Sequence, residues 1–158
     1  MQLEKIPSEV ELVIFDFYDT IIRTVYYNQN KLRNGIEELV EHLKQEQIPM
    51  VISSDGDEYG IERDFGYAIH EEFQKNFKKI YGRKHLLYDH EEKRLFKNLI
   101  QICVEQDVNP SKTVFIGDDF NGNDSFSAQH CNIDYIIVPK HLENPNFSFT
   151  NLVNYDSK

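Results

Sequence analysis

Positive charge is scarce in this chain: 17 lysines and arginines stand against 27 aspartates and glutamates, a formal net charge of −10 over 158 residues. At that balance most of the surface repels phosphate backbones and anionic bilayers, which disfavours nucleic acid and membranes as partners. One local basic stretch runs from Lys75 to Lys84. Cysteine is nearly absent. Cys103 and Cys131 lie far apart at no paired spacing, so a disulfide framework is excluded and both read as reduced thiols of a reducing compartment. No apolar run approaches the roughly 20 residues needed to span a bilayer, and Met1 to Pro7 hold no apolar leader. The expectation is a soluble cytoplasmic protein. The six histidines include no pair at metal-ligand spacing. Tryptophan is missing, yet 11 Phe and 9 Tyr within 40% hydrophobic residues supply a sizeable core. No repeat, low-complexity tract or linker divides the sequence, so a single domain is expected over 1–158, with a core over about 10–140 and a loosely attached polar tail from 141 to 158.

Strand-like and helix-like stretches alternate. Val13-Ile14-Phe15 is continuously apolar and stops at Asp16. Ile36, Leu39, Val40 and Leu43 recur at helical spacing behind Asn34-Gly35, and Met50-Val51-Ile52 then forms a short buried run ending at Ser53-Ser54. Phe65, Ile69, Phe73, Phe77 and Ile80 share one helical stripe, and Leu86-Leu87-Tyr88 reads as the next strand. A helix from about Lys93 carries Phe96, Leu99, Ile100, Cys103 and Val104 on one stripe, Asn109-Pro110 ends it, and strands at Thr113–Ile116 and Tyr135–Val138 complete the set. Strands apolar throughout and separated by helices predict an α/β fold: a three-layer, doubly wound, Rossmann-like parallel sheet with helices on both faces.

In such sheets ligands bind beyond the carboxyl ends of the strands. Two strands deliver acids there, Asp16 from the first and Asp118-Asp119 from Thr113–Ile116, and converging carboxylates suit a hard metal ion. Each candidate has a plainer explanation. Asp16 can be a turn residue, Ser53 and Ser54 can cap a helix, and Lys93 alone is by default a solvated surface lysine. The stretch Gly117-Asp118-Asp119-Phe120-Asn121-Gly122-Asn123-Asp124 is dense in oxygen ligands for magnesium, although Asn-Gly also marks an ordinary turn. The spacing and closing glutamate of a calcium-binding loop are missing.

Taken in order, these elements resemble the haloacid dehalogenase superfamily of phosphohydrolases from about Leu12 to Val138. An apolar strand followed by D-x-D-x-T is matched by Asp16-Phe17-Tyr18-Asp19-Thr20, a strand ending in Ser or Thr by Val51-Ile52-Ser53-Ser54, a lysine by Lys93, and an acidic loop by Gly117-Asp118-Asp119 with Asp124 downstream. Lys84 and Lys97 fit the lysine spacing less well, and the step from Asp118 to Asp124 is about one residue longer than usual.

The resemblance implies a phosphorylated substrate, Asp16 as nucleophile, and Mg²⁺ held by Asp16, the Tyr18 carbonyl and Asp118, with Asp119 or Asp124 completing the shell. Ser53 and Lys93 become the phosphoryl-stabilising pair, with Thr20 and Ser54 beside them as substrate-binding hydroxyls. Tyr18 is a departure, since phosphatases of the family carry there a second Asp that protonates the leaving group and then activates water. A phenol donates a proton but is a poor base near neutrality. Asp19, one position later, is the candidate substitute.

Tyrosine at this position also resembles the 2-haloacid dehalogenase branch, but only about a dozen residues, Ile21 to Leu32, stand where that branch inserts a cap. The segment after Ser54 has no room for one either. A capless member implies a large or extended, even macromolecular, phosphorylated substrate, or a lid lent by a second subunit of a homo-oligomer. Tyr26 and Tyr27 would then border the entrance. Two other readings stand beside the phosphohydrolase. One is a non-catalytic descendant that binds metal or a phosphorylated partner; the other, ranked well below, is a receiver-type regulatory domain.

Overall fold

A computed structural model describes residues 1–24, 31–68 and 71–155, with side chains at 67 and 68 left aside. In chain order the elements are β1 (Leu12–Phe15), β2 (Ile22–Arg23), β3 (Lys31–Leu32), α1 (Ile36–Gln45), β4 (Met50–Ser53), α2 (Glu58–Ala68) and α3 (Glu71–Gln74). They continue with β5 (Phe77–Tyr81), β6 (Leu86–Asp89), β7 (Arg94–Lys97), α4 (Leu99–Gln106), β8 (Thr113–Gly117), α5 (Asn123–His130) and β9 (Asp134–Ile137). Five strands form one sheet in the order β5-β4-β1-β8-β9, every pairing parallel. The expected α/β sheet with helices on both faces is therefore present, and β1 is its centre.

Alternation along β1 shows how the layers are built. Val13 and Phe15 belong to a core cluster shared with Ile36, Leu39, Val40 and Leu43 of α1 and with Ile61 and Phe65 of α2. Leu12 and Ile14 face the other cluster, with Leu99, Ile102 and Cys103 of α4 and Ala128 of α5. Successive side chains on a strand point to opposite faces, so a strand apolar at every position needs a cover on each side. Cys103 and Cys131 are buried and unpaired. Among the described residues no helix is long and apolar enough to cross a membrane.

Three local expectations are corrected. Phe77 and Ile80 lie on β5, not on a continued helix. The chain turns at Asn76, whose backbone N–H and side-chain amide both donate to the Phe73 carbonyl, and the i,i+4 spacing instead reflects ring packing of Phe77 on Phe73 and Phe65 at 5.7 and 5.8 Å. Ile69 lies outside the described residues. The strand at Leu86 pairs antiparallel with β7 in a separate hairpin rather than joining the main sheet. For the same reason no helix starts at Lys93. Asp89 accepts the N–H groups of Glu91 and Glu92, Lys93 adopts a left-handed φ of 54°, and the chain folds back as β7 before Asn98 caps α4. Ile100 and Val104, expected inside, are exposed.

The tail is not loose. Phe149, Leu152 and Val153 are buried in the first core cluster. The Phe149 N–H donates to the Asn34 carbonyl and the Ile6 N–H to Leu152. Gly35 makes this contact feasible: it has φ 80° and caps α1, and a Cβ there would collide with Ser148 and approach the Phe149 nitrogen to 2.8 Å. Phe149→Ala should lower the unfolding free energy by about 3–5 kcal/mol, the usual cost of emptying a buried phenylalanine site. Urea denaturation measures it, and a loss below about 1 kcal/mol would return the tail to the periphery.

Candidate active site

β1 and β8 end side by side, and that sets the site. The Asp16 N–H continues the ladder by donating to Ile116 at 2.8 Å, so Asp16 leaves the sheet next to Asp118. Beyond Asp16 the chain turns at once: the Thr20 and Ile21 N–H groups donate to Phe17, and Asp19 takes a left-handed φ of 56°. The turn brings the Thr20 hydroxyl back to donate to Asp16 Oδ2 at 3.3 Å. Asp124 comes from the first turn of α5. A Cβ on Gly117 would run into its carboxylate, so the glycine is what lets the acid lie against the end of β8. Carboxylate oxygens of Asp16, Asp118 and Asp124 fall within 4.8 Å of one another, and all three residues are buried.

The acidic loop settles which of its acids joins this group. Asp119 accepts the N–H and hydroxyl of Ser125 at 2.8 and 3.0 Å, so its carboxylate caps the start of α5 rather than facing Asp16. The Asp119 N–H in turn donates to Asp124 Oδ2. Asp119 is thus corrected from ligand candidate to loop anchor, and Asp124 stands with Asp16 and Asp118.

The lysine is corrected too. Lys93 is exposed in the hairpin turn, whereas Lys97, at the end of β7, is 2% exposed and aims at the acids. Its Nζ lies 2.7 Å from Asp124, 3.2 Å from Asp55 and 3.8 Å from Asp16. Spacing to Asp118 favoured Lys93 only while residues 94–97 were read as helix. The retrievable signal was the polar run Asp89-His90-Glu91-Glu92 between the apolar pieces Leu86-Leu87-Tyr88 and Leu95-Phe96, which reads as a hairpin turn.

A cavity of about 400 Å³ opens over the acids, with Tyr18, Ser54, Asp55 and Lys140 in its walls. Ser54 rather than Ser53 reaches this wall, because Ser53 is still paired in the sheet opposite Tyr81. The Ser54 hydroxyl accepts the Gly56 N–H at 3.2 Å. Asp19 is also at the rim, but it accepts backbone N–H groups from Thr24 and His141 at 3.4 and 3.3 Å. Tyr18 donates its hydroxyl to Asp64 at 2.6 Å. Lys140 donates to the Asp118 carbonyl at 3.0 Å. Asp55, Asp64 and Lys140 carry no motif and were not singled out from sequence. Tyr26 and Tyr27 lie outside the described residues.

Electrostatics follow from this crowding. Burial, and after it the Asp124 charge, hold the Asp16 carboxyl well above the ordinary range against the opposing pull of Lys97. Asp118 is raised as well, chiefly by burial. Burial alone would strip Lys97 of its proton, but Asp16, Asp124 and Asp55 outweigh it and push its pKa up. Among the described residues Asp118 Oδ1 is buried with no hydrogen-bond partner, an acceptor left open to a ligand.

Residues 3–138 match the family described as haloacid dehalogenase-like hydrolase. Among curated proteins none matches. Solved structures with a similar fold include a haloacid dehalogenase superfamily hydrolase from Geobacter sulfurreducens, with TM-score 0.62 and 11% identity over 83% of this chain and 92% of that one. A predicted phosphoglycolate phosphatase from Haemophilus somnus has TM-score 0.63 and 10% identity over 89% and 94%. The N-terminal part of a Bacteroides fragilis protein, containing a phosphatase domain and complexed with Mg, has TM-score 0.66 and 15% identity over 92% of this chain and 40% of that one. With most of its length matched to the family and the fold shared with these hydrolases, the chain belongs to the haloacid dehalogenase-like hydrolases.

Proposed function

We propose that the chain is a magnesium-dependent phosphohydrolase that works through an aspartyl-phosphate on Asp16. The observation that carries this is the convergence of three buried carboxylates and a buried lysine beside one cavity. The donor set fits a hard cation: all-oxygen, anionic, and including the unpartnered Asp118 Oδ1. Asp16, Asp118 and Asp124 would hold Mg²⁺, with the Tyr18 carbonyl as the further oxygen the family assigns. When bound, the ion supplies charge neutralisation at the phosphoryl oxygens.

The chain's own groups do the rest. Thr20 fixes the Asp16 carboxylate by its hydroxyl bond, leaving Asp16 to attack phosphorus while the ester oxygen departs. Lys97 offsets the negative charge gathered at that point, and preorganised charge of this kind is usually the largest contribution to such catalysis. The Ser54 hydroxyl, on the cavity wall, donates to a phosphoryl oxygen. Water then attacks phosphorus, the bond to Asp16 breaks, and the carboxylate is restored with release of phosphate. Among the described residues the short connection between β4 and β5 carries α2 and α3 and no cap domain, which favours a large or extended phosphorylated substrate. One observation favours a non-catalytic, phosphate-binding descendant instead: Tyr18 stands at the acid–base position with its hydroxyl already turned to Asp64.

Mg²⁺-dependent phosphate release from a panel of phosphoesters distinguishes the two. Asp16→Asn should abolish it, Lys97→Met should lower it by at least about 10²-fold, and Lys93→Met should leave it unchanged. Background rates for wild type throughout would favour the descendant. A loss on Lys93→Met with Lys97→Met unaffected would overturn the lysine assignment.

Melting curves without and with Mg²⁺ test the acids independently of turnover. Asp16 and Asp118 are raised in the folded state, so the native chain binds more protons than the unfolded one, and this contribution to stability falls as pH rises through the raised values. Asp118→Asn removes one of the repelling charges. Without divalent ions it should melt above wild type at about pH 8, by a margin that shrinks at about pH 5. Saturating Mg²⁺ should raise the wild-type melting temperature and not that of the variant. A variant that melts lower at both pH values, or that keeps the full Mg²⁺ response, would remove Asp118 from the ligand set.

A further inference from the structure

We propose that Asp64, on α2, is a positioning residue that takes the proton of Tyr18 when water is activated, so that a tyrosine–aspartate pair replaces the missing acid–base carboxylate; this rests on the phosphohydrolase reading above. Three observations lead to it. The Tyr18 hydroxyl donates to Asp64 Oδ2 at 2.6 Å, within the short range of a hydroxyl bonded to a charged carboxylate. Arg63 Nε pairs with the other oxygen, Asp64 Oδ1, at 3.2 Å, which leaves Oδ2 to the phenol among the described residues and keeps the acid in place. The Tyr18 ring lies against Gly56, where a Cβ would approach Tyr18 Cε2 to 2.9 Å. Tyr18 lines the cavity together with Asp16, Ser54 and Gly56, and its hydroxyl is held from α2.

The alternative acid is otherwise engaged. Asp19 has one carboxylate oxygen on the Thr24 N–H and the other on the His141 N–H, a structural use that ties the β1 turn to the segment after β9. Transfer through the hydrogen-bonded pair means that no free phenolate forms. The water oxygen bonds to phosphorus and its proton passes to Tyr18 Oη. The phenolic proton passes at the same time to Asp64 Oδ2, the bond from phosphorus to the Asp16 oxygen breaks with its electron pair returning to the carboxylate, and Asp64, buried but not sealed at 9% exposure, releases the proton to solvent.

The test uses p-nitrophenyl phosphate with Mg²⁺, because its phenolate leaves with little need of protonation and the second step is isolated. Asp64→Asn keeps the shape and a hydrogen-bond acceptor while removing the proton acceptor. It should lower kcat by about 10²-fold, the scale of general base help, with KM falling in parallel. Acid-quenched samples should show phosphoenzyme accumulating, with a nitrophenol burst near one equivalent. Tyr18→Phe should give the same loss, the double variant no further loss, and Asp64→Glu should restore part of it. Turnover of Asp64→Asn within about threefold of wild type, or losses that multiply in the double variant, would overturn the relay. If wild type releases no phosphate dependent on Asp16, the phosphohydrolase reading falls and the relay with it; if wild type turns over and Asp64→Asn keeps pace, only the relay falls.

Discussion

Burying the Lys97 ammonium is the constraint around which the rest of this site is arranged. A lone ammonium with 2% exposure would lose its proton or its fold, since the effective penalty for taking a charge out of water is several kcal/mol. It survives because Asp16, Asp55 and Asp124 surround it from three segments of the chain. The dependence is mutual. Burial and the Asp124 charge push the Asp16 carboxyl up, and the lysine charge is what opposes them. Fold and chemistry meet in this cluster: the sheet order places β1 beside β8, the hairpin carries the cation across, and α5 closes the group from below.

Other polar contacts serve to keep that cluster in register. The Lys97 N–H donates to Ser127 Oγ on α5 at 2.9 Å. Asn123 donates to Asp55 Oδ2 and itself accepts from Arg94. Asp55 on the loop after β4 and Arg94 on β7 are thus joined through one asparagine at the start of α5. Such a network is effective because each member is satisfied by the next, and truncating one would leave a half-buried polar group without its partner.

How much of this was legible from sequence depended on the type of signal. Strands made of continuous apolar runs, such as Leu12–Phe15 and Val114–Ile116, announced a parallel sheet buried on both faces, and the acids at their ends announced the site. The helix stripe of Ile36, Leu39, Val40 and Leu43 was equally plain. Residues 65–81 and 86–97 were not, because Phe65, Phe73 and Phe77 repeat every four or eight residues for reasons of ring packing rather than helical continuity. Short apolar runs cannot tell strand from helix by period alone. The tail misled for a compositional reason: three buried residues, Phe149, Leu152 and Val153, suffice to fix a segment that is polar on average. Asp55, Asp64 and Lys140 reach the site through tertiary placement, which local pattern does not encode.

The hairpin that delivers Lys97 has a consequence for how the sequence can vary. Lys97 sits opposite Leu86 in the β6–β7 ladder, and side-chain direction on a strand is set by cross-strand register, with a slip of one residue turning every side chain to the other face. The polar turn between Asp89 and Arg94 lies at the far end from the acids. A change of length there leaves the lysine in place, because the stretch from it to Asp118 is spanned by α4 and β8, whereas the distance back to β5 passes through the turn.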